Sequence, residues 1–173
     1  MPASAMIRSP AGAAIVIAVV GAAAILGAYY FQYGLGLEPC PLCLEQRIAY
    51  YFAIPLALIV AFADSRGAPR AFLTAALVLI ALTMLVNAGL GVYHSGVEWK
   101  FWPGPADCSG PVTSLGRASD LMRQLRNVTV VRCDEAAWRF LGLSLAGYNV
   151  LISLALAAIA MWGMLGTRRS PGS

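Results

Sequence analysis

The chain has 173 residues, of which 60% are hydrophobic and 12% charged, about half the charged fraction of an average soluble domain, roughly 25%. That composition excludes a soluble globule and a disordered segment, and a net charge of +4, set between apolar blocks and not gathered in a stripe, gives no footing for nucleic acid as a partner. Four cysteines beside a single histidine leave disulfide chemistry open.

A membrane span needs about 20 mostly apolar residues. No charge occurs between Ser9 and Leu37, and residues 11–30 supply a first span. Arg8 ahead of it resembles the basic start of a signal peptide. The apolar stretch is longer than a signal core of about 7–15 residues, and aromatic residues stand where a cleavage site belongs, so a retained span is expected. A second span is read at 46–63, a third at 71–93 with Thr74, Thr83 and Asn87 as polar interruptions, and a fourth at 141–165. The runs are continuous and do not alternate as barrel strands do. The fold class expected is therefore an all-α membrane protein: one domain over 1–173, a four-transmembrane-helix bundle with two outer loops, 31–45 and 94–140. Ala14, Ala18 and Ala22 recur at helical spacing, which either permits close helix contact or reflects the abundance of alanine.

Arg8, Arg66, Arg70, Arg168 and Arg169 fall on one side of such a bundle, which assigns that side and both termini to the cytoplasm. Arg47, Lys100, Arg117, Arg123, Arg126, Arg132 and Arg139 fall on the other side, more thinly spread over a longer stretch. Aromatic clusters sit at the outer end: Tyr29, Tyr30, Phe31 and Tyr33; Tyr50, Tyr51 and Phe52; Tyr93, Trp99, Phe101 and Trp102; Trp138 and Phe140. They read as an interfacial belt or as the walls of a pocket for a flat ring.

All four cysteines lie in the outer loops: Cys40 and Cys43 in Pro39-Cys40-Pro41-Leu42-Cys43, and Cys108 and Cys133 in the second loop. A Cys-x-x-Cys pair either binds metal or cycles between dithiol and disulfide. A zinc site of four cysteines requires both loops to converge, and covalent haem attachment requires a histidine after Cys43, which is absent. Redox chemistry fits better, and no resident metal is expected. Cys43 precedes the apolar run of the second span, so it belongs near a helix N-terminus, where partial positive charge favours a thiolate. Arg47, four residues on, projects from the same helical face, where a fixed cation lowers a thiol pKa and steadies a developing oxyanion; its alternative is a snorkelling interfacial arginine. Cys108 and Cys133 are either a structural disulfide closing a loop or the second pair of a thiol–disulfide relay. Between them, Leu115, Ala118, Leu121, Met122 and Leu125 fall at helical spacing, with Arg117, Arg123 and Arg126 elsewhere on the wheel. This predicts a short amphipathic helix on the lipid surface.

Four segments carry a resemblance: residues 39–47 (Pro-Cys-Pro-Leu-Cys-Leu-Glu-Gln-Arg), 93–98 (Tyr-His-Ser-Gly-Val-Glu), 105–108 (Pro-Ala-Asp-Cys) and 133–144 (Cys-Asp-Glu-Ala-Ala-Trp-Arg-Phe-Leu-Gly-Leu-Ser). Over nearly the whole chain it resembles the bacterial disulfide bond formation protein B (DsbB) family. The resemblance implies a multi-pass protein of the bacterial inner membrane with both termini cytoplasmic and the cysteines periplasmic. It implies a thiol:quinone oxidoreductase that reoxidises a periplasmic thioredoxin-fold, DsbA-like partner and passes the electrons to a membrane quinone, ubiquinone ahead of menaquinone. Carried onto this sequence, Cys108 forms the mixed disulfide with the partner, Cys133 attacks Cys40, and Cys43 donates to the quinone helped by Arg47. His94 resembles the family's histidine near the quinone, and Gln46 lines the same pocket. The loop between Cys108 and Cys133 departs from the best-known member, which leaves the partner open.

Three alternatives compete. A vitamin K epoxide reductase-like enzyme also joins a quinone to thiols, but carries its Cys-x-x-Cys late in the chain. A reductant exporter needs cysteines in the spans or on the cytoplasmic side. A non-catalytic membrane scaffold holds its cysteines as structural disulfides or as a zinc site.

Overall fold

The computed structural model describes residues 8–105, Cys108 and residues 132–169, with side chains as far as Gly166. Among them are four helices long and apolar enough to cross a membrane. Helix α1 (Pro10–Tyr29) runs on into a π-helical turn, Tyr30–Gly34. Helix α2 spans Pro41–Ser65 and α3 spans Arg70–Glu98. A two-stranded antiparallel hairpin, β1 (Arg139–Phe140) and β2 (Leu143–Ser144), leads into α4 (Leu145–Arg169). Helices α1 and α3 sit on opposite corners of the bundle, each packed against α2 and α4. The expected amphipathic helix, with Arg117, Arg123 and Arg126, lies outside the described residues.

The core is apolar and fine-grained. Ile17, Val60, Leu77, Ile80, Met84 and Leu156 are fully buried, and Ala14, Ala18, Ala57 and Ala160 fill the gaps between them. Ala14 and Ala18 are buried while Ala22 is half-buried, so the alanine stripe of α1 is in large part a packing face. Val19, Leu26, Ile48, Leu58, Phe62 and Val86 point outward. In water such a surface is a liability, whereas in a bilayer it is the required one.

The helices outrun the apolar runs because their ends are capped by residues that hydropathy does not weigh. Ser9 accepts a hydrogen bond from Gly12 N at 3.0 Å, with Pro10 in the first turn of α1. Asp64, near the end of α2, accepts one from Ala11 N at 3.0 Å, placing an acid at the positive end of α1. Helix α2 begins at Pro41, ahead of the expected span at 46, because Cys40 is its N-cap and proline is favoured at the first helical position. Helix α4 begins only at Leu145. The residues before it turn back on themselves through Leu141 (φ 49°) and Gly142 (φ 82°), a two-residue turn that needs positive φ at both positions. This hairpin departs from helix and bears on the site.

Candidate functional site

The cysteine end of the bundle is built on the first turn of α2. The Cys40 sulfur accepts a hydrogen bond from Cys43 N at 3.2 Å, as an N-cap side chain does. Cys40 and Cys43 are free, with their sulfurs 2.6 Å apart. Cys40 is buried and Cys43 half-buried. The hydrogen bond to Cys43, followed by burial, pushes the Cys40 thiol up, so Cys40 keeps its proton at neutral pH.

Cys108 and Cys133 are joined in a disulfide, with their Cα atoms 5.2 Å apart. The bond packs against the first pair: Cys40, Leu42, Val97, Cys108 and Cys133 form one buried cluster, flanked by Cys43 and Tyr93. The two loops therefore converge, as a four-cysteine zinc site requires, but two of the four sulfurs are bonded to each other and are not free as ligands. The chain returns to the cluster along the end of α3. Trp102 stacks on Tyr93 at 6.1 Å and donates its indole N–H to the Tyr93 carbonyl at 2.9 Å. Gly96 makes this approach possible, since a Cβ there would lie 2.1 Å from the Trp102 ring.

His94, on α3, is buried beside the thiols, its Nε2 3.6 Å from Cys40 Sγ and 3.8 Å from Glu98 Oε1. Its Nδ1 lies 2.9 Å from Gln46 Nε2. Gln46 Nε2 also donates to the Leu42 carbonyl at 3.2 Å, and Gln46 Oε1 accepts from Asn149 Nδ2 at 2.6 Å. From Asn149 the polar chain continues into the bundle. Its Oδ1 accepts from Tyr50 OH at 2.6 Å and from Asn87 Nδ2 at 3.3 Å, and Asn87 also reaches Ser153 Oγ at 2.9 Å.

Arg47 donates from Nη1 to Gln32 Oε1 at 2.6 Å and lies 5.5 Å from the Tyr29 ring centroid. Gln32 belongs to the π-helical turn, where Leu35 N reaches back to Tyr30 O. Such turns recur at functional sites, and this one extends the first helix past the expected boundary at residue 30 so that it meets Arg47.

Cys43, Gln46, Arg47 and His94 all face one cavity of about 460 Å³. Phe31, Trp138, Phe140 and Tyr148 form its aromatic wall. Trp138 is stacked on Phe140 at 5.8 Å and packs on Phe31 at 5.0 Å, and Tyr148 OH donates to the Phe140 carbonyl at 3.1 Å. The hairpin thus holds the wall in place. A flat apolar ring with polar oxygens at its edge suits this cavity, whose lining joins aromatic rings to a thiol, a guanidinium and an imidazole.

The structure brings together Cys40, Cys43, Gln46, Arg47, His94, Cys108 and Cys133, the seven residues singled out from the sequence, at one end of the bundle. Sequence reading misses Gln32, Glu98 and Asn149, and of its two readings of the Tyr50 cluster, interfacial belt or pocket wall, Tyr50 fits the second, since it lines the cavity. Tyr50 is buried and hydrogen-bonded inside the bundle. The available signal was polar side chains within apolar runs, read at Asn87 but not at Asn149 or Ser153.

Residues 10–163 match the family model described as "Disulfide bond formation protein DsbB". A protein named disulfide bond formation protein B from Xanthomonas oryzae pv. oryzae (strain MAFF 311018) is 33% identical over 145 residues, 83% of each chain. One of the same name from Xylella fastidiosa (strain Temecula1 / ATCC 700964) is 31% identical over 148 residues, 83% of this chain and 84% of that one. Two cysteine pairs in one cluster at the end of a four-helix bundle accord with both matches, and the chain belongs to the DsbB family, as a multi-pass membrane protein of disulfide bond formation.

Proposed function

We propose that this protein is a thiol:quinone oxidoreductase that reoxidises a thioredoxin-fold dithiol partner, DsbA-like, and delivers the electrons to a membrane quinone. The observation that carries the reading is the packing of Cys40 with the Cys108–Cys133 disulfide in one buried cluster, with Cys43 beside it opening onto an aromatic cavity. Cys43, Arg47, His94 and Gln46 would hold the quinone headgroup against Phe31 and Trp138. When bound, the quinone supplies the electron sink, taking up two electrons and two protons to become a quinol.

The chain's own part is thiol–disulfide exchange. A partner thiolate attacks Cys108, which breaks the Cys108–Cys133 bond, forms the mixed disulfide and releases Cys133. Cys133 attacks Cys40 of the oxidised Cys40–Cys43 pair and releases Cys43 at the cavity wall. Arg47, held by Gln32 and Tyr29, offers a fixed positive charge there. His94 Nε2 is placed to exchange a proton with Cys40. The partner's second thiol displaces Cys108 and the partner leaves as a disulfide; Cys108 then attacks Cys133 and frees Cys40, and the Cys40–Cys43 bond closes again as two electrons and two protons pass on to the quinone.

Arg8, Arg66 and Arg70 stand at the end of the bundle opposite the cysteines. By the positive-inside rule this supports an inner-membrane protein with cytoplasmic termini and periplasmic cysteines. The test uses the full-length protein in detergent with reduced thioredoxin-fold partner and a soluble ubiquinone analogue, followed by quinone absorbance. Catalytic quinone reduction by wild type, lost in Cys43→Ser and in Cys108→Ser, is expected. A folded wild type with no quinone reduction would leave a scaffold held by disulfides as the better account.

A further inference from the structure

Three ligand atoms of different character meet at the first turn of α2. The sulfurs of Cys40 and Cys43 and a ring nitrogen of His94 all lie within 4.8 Å of one another. A fourth group points to a ligand independently. Glu98 is 8% exposed, its Oε1 is 3.8 Å from His94 Nε2, and its Oε2 is buried with no hydrogen-bond partner among the described residues. An unpaired buried carboxylate oxygen is destabilising. A cation beside it would remove that penalty.

We propose that, when the Cys40–Cys43 pair is reduced, these two sulfurs and His94 Nε2 bind a thiophilic divalent cation, with Zn²⁺ as the fitting class and Glu98 as the negative charge beside it. Tetrahedral zinc, with Zn–S of about 2.3 Å and Zn–N of about 2.0–2.1 Å, sets sulfur and nitrogen ligands about 3.6 Å apart. Cys40 Sγ and His94 Nε2 already stand at 3.6 Å. The two sulfurs would separate from 2.6 Å to roughly 3.7 Å, the spacing of two zinc-bound sulfurs, which side-chain rotation in the first turn of a helix supplies. Binding exchanges two thiol protons for one M²⁺ and transfers no electrons. While the cation is held, both sulfurs are engaged and the Cys40–Cys43 bond cannot close.

The site carries a built-in signature. In the metal-free protein Gln46 Nε2 donates to His94 Nδ1, so the ring proton sits on Nε2, where the cation must bind. Metal binding therefore moves that proton to Nδ1, where it meets the Gln46 amide nitrogen, held in place by the Leu42 carbonyl and the Asn149 amide. A carboxylate at position 46 would favour the metal-bound tautomer outright.

The test is a Cd²⁺ titration of the full-length protein in detergent, reduced and then freed of reductant without oxygen, read by thiolate-to-metal charge-transfer absorbance. One Cd²⁺ per Cys40–Cys43 pair is expected, also in a Cys108→Ala, Cys133→Ala double variant, and none in the oxidised protein. Because the chain has one histidine, ¹⁵N-histidine spectra of wild type with Zn²⁺ read the ring directly, whether or not the double variant folds. They should show metal on Nε2 and the proton on Nδ1. Gln46→Glu should tighten binding at least about tenfold, and Glu98→Gln should weaken it. No binding by the reduced protein, binding with an unmoved histidine spectrum, or affinity indifferent to Gln46→Glu would each overturn the site. None of these readouts uses the partner or a quinone, so the result stands apart from the proposed oxidase activity.

Discussion

Gln46 Nε2 lies 2.9 Å from His94 Nδ1, and the hydrogen-bond network around the Gln46 amide assigns the ring proton to one nitrogen. The Gln46 amide cannot turn freely, since its nitrogen faces the Leu42 carbonyl and its oxygen faces the Asn149 amide nitrogen. With the donor side of Gln46 toward the ring, Nδ1 accepts and the proton is on Nε2, directed at Cys40 Sγ. One side chain of α2 thereby links the redox pair to a polar network spanning α2, α3 and α4.

Gln46→Leu should release this arrangement. The buried His94 Nδ1 and the half-buried Asn149 amide would be left without their partner, at a cost of about 1–3 kcal/mol. The expected outcome is a lower thermal midpoint in detergent and, in metal-free ¹⁵N-histidine spectra, a mixture of ring tautomers in place of Nε2–H alone. An unchanged spectrum would mean that something other than Gln46 sets the tautomer.

The thiols of the reduced pair should alkylate in sequence. Hydrogen bonding to Cys43 and burial push the Cys40 thiol up, so its reactive thiolate appears only as pH rises above the ordinary thiol range of about 8.5. Iodoacetamide at neutral pH should label Cys43 first, with Cys40 following only in more alkaline solution, as mapped by mass spectrometry of peptides. Equal labelling of both at neutral pH would contradict the assignment.

Replacing Cys133 by alanine should trap the partner. Cys108 would then meet an oxidised thioredoxin-fold partner as a lone thiol, with no internal sulfur to displace the mixed disulfide. A covalent complex that reductant dissolves is expected on non-reducing gels for Cys133→Ala, and none for the Cys108→Ala, Cys133→Ala double variant. Complex formation by the double variant would point to Cys40 or Cys43 as the entry thiol.

The spans and the cysteines were legible in the sequence because both are local signals. An apolar run and a Cys-x-x-Cys next to Pro41 need no tertiary information. Helix ends were less legible: Cys40 as an N-cap and the π-helical turn at Tyr30–Gly34 extend helices into what hydropathy reads as loop. The support of the site was the least legible. Gln32 meets Arg47 across 15 positions and Asn149 meets Gln46 across 103, and pairings at that separation exist only once the bundle has closed. Glu98 carries a family-like motif, yet its burial beside His94 is a fact of packing alone.

Arg47→Lys should separate charge from geometry. Lysine keeps the positive charge but loses the planar fork that meets Gln32 and weakens the contact with the Tyr29 ring, together about 1–2 kcal/mol. The apparent KM for a soluble quinone analogue should rise about tenfold, and Gln32→Leu should raise it by less in the same direction. A Lys variant indistinguishable from wild type would mean that only the charge matters.

Two glycines give opposite expectations for one chemical change. At Gly163 on α4 an added Cβ would lie 2.7 Å from Ala13 Cβ on α1 and 3.3 Å from Leu77 Cδ1. The Ala13 Cβ is fixed to its backbone, so the helices must move apart, and overpacking of this kind costs about 1–3 kcal/mol. At Gly89 on α3 nothing lies within 4 Å of an added Cβ, and the residue faces outward. There alanine only restricts the unfolded chain and favours the helix, by up to about 1 kcal/mol. Gly163→Ala should lower the thermal midpoint in detergent and Gly89→Ala should hold or raise it. If both fall alike, close approach of α1 and α4 is not what position 163 serves, and the small-residue face of α1 is filler between larger contacts.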